Sequence, residues 1–220
     1  MPLNLTPDEL LSTTRSVSKR LDFSRPVEHE TLEECFRLAQ QAPSAGDQQM
    51  WSFIVVEDAP TKAALGDIYR RGAAASMAEL TSGSDAEARW ASLGPDEQAA
   101  FGRKLDSANF LIEHIQDAPV LVVPAVAGRL EQMPPWSQAA LWGSIAPATW
   151  SFMLALRSRG LGSAWTTFHL RFERDAADLL GIPYAEITQI ALLPVAYTLG
   201  TDFKPAPRRP LETMVHWGRW

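Results

Sequence analysis

Between Gln132 and Leu156 the chain runs 25 residues without a charged side chain, long enough to cross a bilayer. No other feature constrains the fold as much. The stretch contains Pro134, Pro135, Gly143 and Pro147, and its large apolar residues are interspersed with alanine and serine. A membrane span favours continuous apolar character, so a helix buried inside protein explains the run better. Hiding such a helix takes a large core, and 220 residues with 46% hydrophobic side chains supply one. Area scaling gives a folded surface of roughly 10,000 Å², with about 70% of the extended chain's surface buried. The balance of 20 basic against 26 acidic residues, net −6, has the wrong sign for a general nucleic-acid binder. Cys35 has no internal disulfide partner and no basic-plus-apolar leader precedes it, so a reducing, cytoplasmic setting is expected.

Helix starts are marked twice. Thr6-Pro7-Asp8-Glu9 reads as a cap, a proline at the first helical position and a glutamate reaching back. Thr31-Leu32-Glu33-Glu34 repeats the box ahead of apolar positions at helical spacing (Leu32, Cys35, Phe36, Leu38, Ala39, Ala42), and Pro43 should close that helix. Phe53–Val56, Val120–Val123 and Ile190–Leu193 are short apolar runs that read as buried strands of a sheet covered on both faces. Helices are expected at about 61–71, 85–92, 95–117, 136–159 and 171–180, with Pro147 kinking or splitting the long one and Gly160 and Gly162 stopping it. No repeat or linker divides the chain, so residues 1–220 read as one α/β (α+β) domain. Its end is unusual. Pro205, Pro207 and Pro210 keep residues 201–220 extended, yet Leu211, Met214, Val215, Trp217 and Trp220 need cover, from this chain or from a partner subunit.

Several chemistries lack their residues. His29, His114, His169 and His216 show no metal-ligand spacing, and Cys35 lies on an apolar helix face as a core thiol would. There is no nucleophile elbow and no phosphate loop. Gly160-Leu161-Gly162 follows a helix, the reverse of the order a dinucleotide fingerprint requires. What remains is three separated clusters. In Arg15-Ser16-Val17-Ser18-Lys19-Arg20, Arg15 and Lys19 share a face if helical and could grip a phosphate, or the segment is a solvated basic turn. Pro43-Ser44-Ala45-Gly46-Asp47-Gln48-Gln49 is a polar loop whose backbone could approach a flat ligand. Arg208-Arg209 could add a second positive clamp or simply solubilise the tail.

In this order the segments resemble the FMN-dependent nitroreductase family, over nearly the whole chain from about residue 9. Thr14 to Asp22 followed by Arg25-Pro26-Val27 is similar to the family's opening phosphate-binding signature. Ala42-Pro43-Ser44-Ala45-Gly46-Asp47-Gln48-Gln49-Met50-Trp51 is similar to its "APS, two residues, Asn, x, Gln, x, Trp" loop, and the strand from Ser52 follows at once. Gly160 to Thr167 resembles the segment under the flavin ring, and Pro194 to Leu211 the closing strand and basic tail.

The resemblance implies a nitroreductase-like central mixed sheet surrounded by helices, and an intertwined homodimer with two FMN molecules at the interface. Arg15, Ser16, Val17, Lys19 and one of Arg208 or Arg209 would hold the phosphate and ribityl chain. Pro43, Ser44, Ala45, Asp47 and Gln49 would come from the other subunit's loop, and Thr166 and Thr167 would offer backbone N–H groups to the ring. The implied activity is a ping-pong oxidoreductase in which NADH or NADPH reduces the cofactor and a nitroaromatic, quinone or similar electron-poor acceptor reoxidises it. Dehydrogenation, dehalogenation and ring cleavage within the same superfamily are the alternative, as is a flavin-binding protein without turnover. Residues 72–106, with a polar tip at Ser82–Asp85 and with Trp90 and Phe101, would form a lid over the open face. Two residues depart from the pattern. Asp47 replaces asparagine and, as an acceptor-only carboxylate, must pair with a base or make a different contact. Val17 replaces a frequent serine and removes one side-chain donor.

Overall fold

A computed structural model describes residues 2–81, 92 and 94–220. Helix α1 (Pro7–Thr13) starts as its sequence predicts: Thr6 Oγ1 accepts from the Glu9 N–H at 3.2 Å and Glu9 accepts from the Thr6 N–H at 2.8 Å. The second expected box is not used. Helix α2 (His29–Ala39) begins two residues before Thr31, whose N–H donates to the Glu28 carbonyl inside the first turn. Burial decides the start, because the longer helix still keeps Leu32, Cys35 and Ala39 on its inner face. Pro43 then bars the α conformation at Ala42, and the chain leaves the helix through single turns at Gln41 and Ala42.

Strand β1 (Leu21–Asp22) precedes α2, and β2 (Trp51–Val56) follows it. Next come α3 (Ala59–Thr81), α4 (Pro95–His114), β3 (Val120–Ala127), α5 (Pro135–Ser158), β4 (Leu161–Ser163), α6 (Glu173–Leu180), β5 (Ile187–Gln189) and β6 (Leu193–Thr198). These strands form a six-stranded sheet with the path β1-β6-β3-β2, β4 pairing with β6 and β5 with β3. Every named pair is antiparallel. The parallel element of the sheet is a single bridge between Ser16 and Ser163.

Strand β3 shows why both faces must be covered. Val120, Val122 and Val126 point into a core shared with α2 and α5, and Leu121 and Val123 into a second core beneath α3. In the first core Phe36 of α2 stacks on Phe152 of α5 with centroids 4.4 Å apart and planes 5° from parallel. The uncharged run is thus α5, which buries Ile145, Phe152 and Leu156 inside protein. Pro147 neither splits nor ends it. The residue four back is Gly143, which is exposed and has open space around it, so the carbonyl robbed of its partner lies near water and no side chain crowds the ring.

Two other expectations shift. The apolar run Ile190–Leu193 is mostly a buried crossing between β5 and β6, tied by Leu192 to Thr166, and only Leu193 belongs to a strand. Apolarity there reports burial, not strand geometry. The expected helix at 61–71 continues to Thr81, and the one at 95–117 ends at His114 before a short turn to Asp117. Of the expected lid at 72–106, the described flanks are therefore helical. Its tip at Ser82–Asp85, Trp90 and the helix expected at 85–92 lie outside the described residues, except Ser92.

The tail forms no helix or strand as far as Pro210 and then makes one turn at Leu211–Thr213. The surface totals 12958 Å², against roughly 10,000 Å² for a folded chain of this mass. Trp217 is 91% exposed, and Leu211, Met214 and Trp220 are also bare.

Candidate functional site

The opening segment after α1 is laid against β4. The Val17 N–H donates to the Ser163 carbonyl at 2.9 Å, and Gly162 permits the approach: a Cβ there would lie 3.0 Å from Val17 Cβ and 2.7 Å from a Thr198 methyl. Beyond β4 the chain passes Trp165 and forms a bridge in which the Thr166 N–H donates to the Leu192 carbonyl at 3.3 Å and the Leu192 N–H to the Thr166 carbonyl at 2.9 Å. Between these strands and helices α3 and α4 lies a cleft of about 290 Å³.

Ser16, Val17 and Ser18 form one wall of the cleft, and Ala164 to Phe168 another; Tyr69 of α3 and Ser107, Ala108 and Leu111 of α4 complete it. Two of the four segments that carry the likeness to a flavin-binding family, Thr14–Asp22 and Gly160–Thr167, therefore converge in one place. Among these lining residues Tyr69 is the only titratable side chain. Burial pushes its phenol up to about 12, so it stays protonated and neutral. Thr166 spends its amide and, over 2.5 Å, its hydroxyl on Leu192. Thr167 is exposed, and its N–H makes no hydrogen bond among the described residues.

Other expected residues stand outside the cleft. Arg15 donates through Nε and Nη2 to the Lys204 carbonyl at 3.1 and 2.6 Å, and to the carbonyls of Ser12 and Thr14. It fastens the base of the tail to the opening segment. Arg20 and Arg157 do the same: Arg20 pairs with Asp202 at 2.5 Å, Arg157 donates to the Thr201 carbonyl at 3.0 Å, and both guanidinium groups lie over the Phe203 ring. Lys19 makes an exposed ion pair with Asp106 at 3.9 Å, next to the cleft residues Ser18 and Ser107. Arg208 and Arg209 are exposed on the tail and are not among the lining residues.

Pro43, Ser44, Ala45, Asp47 and Gln49 also lie apart from this cleft. The Ala45 N–H donates to Ser144 Oγ of α5 at 2.9 Å and the Gln49 N–H to Ser44 Oγ at 3.1 Å. Gly46, Asp47 and Gln49 take φ of 59°, 53° and 50°. Two non-glycine residues in the left-handed region mark a backbone held in a costly shape. Among the described residues Asp47 pairs with no base: its carboxylate accepts from the Gln49 side-chain amide at 3.0 Å. Tyr69, Phe168 and the α4 residues were not singled out in the sequence. Gly72, where a Cβ would fall 1.8 Å from the Phe168 carbonyl oxygen, marks the seat of α3 on the cleft, but a glycine in a helix does not announce what it touches.

A family model described as the nitroreductase family matches residues 11–197. The chain belongs to the nitroreductase family. It is 26% identical over 215 residues to an Archaeoglobus fulgidus protein with the provisional name NADH dehydrogenase/NAD(P)H nitroreductase, covering 96% of this chain and 97% of that one. Among solved structures it resembles a BluB-like flavoprotein from Clostridium difficile 630, with a TM-score of 0.70 and 17% identity over 98% of this chain and all of that one. It also resembles the FMN and NADPH-dependent nitroreductase NfnB from Sphigopyxis sp. strain HMH, with a TM-score of 0.68 and 21% identity over 98% and 100% of the two chains. These likenesses establish the nitroreductase fold. The family assignment places the chain among oxidoreductases.

Proposed function

We propose that the protein is an FMN-dependent oxidoreductase that uses NADH or NADPH to reduce neutral, electron-poor acceptors such as nitroaromatics and quinones. The observation that carries this reading is the convergence of Ser16–Ser18 with Ala164–Thr167 on a cleft whose floor offers an unbonded N–H at Thr167. The residues present fit FMN. Flat apolar walls from Trp165, Tyr69, Phe168 and Leu111 suit a tricyclic ring, and the Ser16 and Ser18 hydroxyls suit a polyol. When bound, FMN supplies the two-electron chemistry, which accounts for a cleft without an acid–base pair.

The chain's own residues bind and orient. Thr167 donates its N–H to the ring edge, where a fixed donor favours negative charge. Lys19 and Arg15 neutralise the phosphate, which requires Arg15 to release the Lys204 carbonyl it now holds. In this reading the loop at 43–49 serves the cleft of a second copy of the chain, and the tail beyond Lys204, whose base is held by this chain's own Arg15, Arg20 and Arg157, lies on that copy. The absence of the loop from the lining of its own cleft and the bare apolar residues of the tail support this arrangement. Covering Trp217 and Trp220 in a partner would offset their present contact with water.

The test uses purified full-length protein under nitrogen. It is expected to be yellow and to bleach when NADPH or NADH is added, with colour returning on addition of a nitroaromatic or quinone. Yellow protein that neither nucleotide bleaches would contradict the reductase reading, and colourless protein that takes up no added FMN would contradict the cofactor.

A further inference from the structure

Three arginines from separate parts of the chain close on the first residues of the tail. Arg20 donates to the Leu199 carbonyl at 2.9 Å and to Asp202, Arg157 to the Thr201 carbonyl at 3.0 Å, and Arg15 to the Lys204 carbonyl. Gly200 permits the turn between them, with a φ of 78° and with a Cβ position only 2.8 Å from Arg20 Nη2. Phe203 fills the centre, its ring 4.2 Å from the Arg20 guanidinium and 5.0 Å from that of Arg157. Charge does not balance here. Among the described residues Asp202 is the one carboxylate paired with these three cations. Arg157 is 4% exposed, and its Nε and Nη1 have no hydrogen-bond partner among the described residues. Buried donors without acceptors cost stability, so the closed tail base is held less firmly than its number of hydrogen bonds suggests.

Arg15 is the part of this clasp that adjoins the cleft, since Ser16 beside it is a lining residue. Its Nε and Nη2 are the side-by-side donors that a phosphate takes, and both grip one oxygen, the Lys204 carbonyl, at 3.1 and 2.6 Å. A carbonyl oxygen offers a partial charge, whereas a phosphate monoester offers almost two full ones. The same edge of the guanidinium cannot hold both. We propose that the tail base is a latch opened by the phosphate of the cofactor: a phosphate monoester on Arg15 displaces the Lys204 carbonyl and frees the chain beyond it, while Arg20 and Arg157 keep residues 199–202 in place. The coupling is reciprocal, so whatever draws the tail away tightens the hold on the phosphate by the same factor. The proposal rests on the reading of Arg15 as a phosphate ligand, and it links filling of the cleft to release of the segment that would reach a second copy.

The experiment uses the full chain and reads hydrogen exchange at the Phe203 amide, which donates to the Thr201 carbonyl at 3.0 Å inside the latch. The probes are FMN and riboflavin, which has the same ring and ribityl chain without the phosphate. Saturating FMN is expected to speed exchange about fivefold and riboflavin to leave it unchanged. Arg15→Ala should speed it about fivefold with no ligand present, and FMN should then add nothing. Affinity gives the converse. Phe203→Ala loosens the base without altering its charge, and the ratio of FMN to riboflavin affinity should rise about fivefold, with Phe203→Tyr keeping the wild-type ratio. Using the ratio cancels any effect of the substitution on the cleft itself. Phe203 exchange unchanged by FMN, equal acceleration by riboflavin, wild-type exchange in Arg15→Ala or an unchanged affinity ratio in Phe203→Ala would each overturn the latch while leaving the cofactor reading intact. A wild-type chain that binds neither flavin would overturn the cofactor reading and the latch with it.

Discussion

The backbone N–H of Val17 donates to the carbonyl of Ser163 across 2.9 Å, joining residues 146 positions apart in the chain. Neither side chain takes part, so the valine that stands in place of a polar residue leaves the join intact. Through this bond the segment after α1 reaches the wall of the cleft, and Gly162 leaves the room it needs.

Gly162→Ala should disturb that join. The added methyl would sit 2.7 Å from Thr198 Cγ2 and 3.0 Å from Val17, so strand or segment must move. The expected cost is about 1–3 kcal/mol, as for overpacking in a dense core, read as a lower urea midpoint, together with weaker FMN binding. Wild-type stability and affinity would mean that the contact is slack.

Arg15→Ala should weaken FMN binding by about 1.5–3 kcal/mol, the range for a hydrogen bond to a charged group. Flavin fluorescence gives the dissociation constant, and an unchanged value would remove Arg15 from the phosphate site. The same variant should raise protease sensitivity near residue 204, because Arg15 also holds the Lys204 carbonyl.

His169 should impose a pH dependence on stability. Its ring is fully buried, neither nitrogen has a partner among the described residues, and burial pushes its pKa down from 6.5 to about 3. The unfolded chain takes up the proton that the folded one refuses. Stability is therefore complete above the unfolded value and falls as pH drops from there toward 3, by about 1.4 kcal/mol per pH unit for this group. Urea midpoints at pH 7 and pH 5 should differ less in His169→Phe than in wild type; equal differences would show that the ring is not buried as a neutral group.

Arg129 and Glu173 should behave as a unit. They form two parallel bonds of 2.9 and 2.8 Å, with Arg129 buried and Glu173 nearly so, and Glu173 also accepts the Gln189 N–H at 2.9 Å. The carboxylate raises the guanidinium's pKa. Glu173→Ala leaves the buried guanidinium with only its 2.9 Å pair to the exposed Glu131 and should cost about 3–5 kcal/mol, whereas Arg129→Met with Glu173→Leu should recover much of the loss. Equal damage from the single and double replacements in denaturant titrations would contradict this.

How far this molecule was legible in its sequence depended on the range of the interactions. The cap at Thr6, the stop at Gly160 and the burial of Ile145, Phe152 and Leu156 follow from local patterns. The same kind of pattern misled at Thr31, where packing of Leu32 and Cys35 outweighed the box, and at Ile190–Leu192, where a buried crossing looks like a strand. At the site, ordered motifs pointed to Ser16, Val17, Thr166 and Thr167, which do meet. Tyr69 and Leu111 join them only through the docking of α3 and α4, which leaves no spacing to read. The tie between Arg15 and Lys204 spans 189 positions and was equally silent.

A crystal structure of the full chain grown with FMN tests the central claim most directly. It should show the ring in the cleft beside the Thr167 N–H, the ribityl chain along Ser16–Ser18, the phosphate against Arg15 and Lys19, and residues 43–49 of a second copy closing the site. FMN bound elsewhere, or a cleft that stays empty while Arg15 keeps the Lys204 carbonyl, would contradict the account.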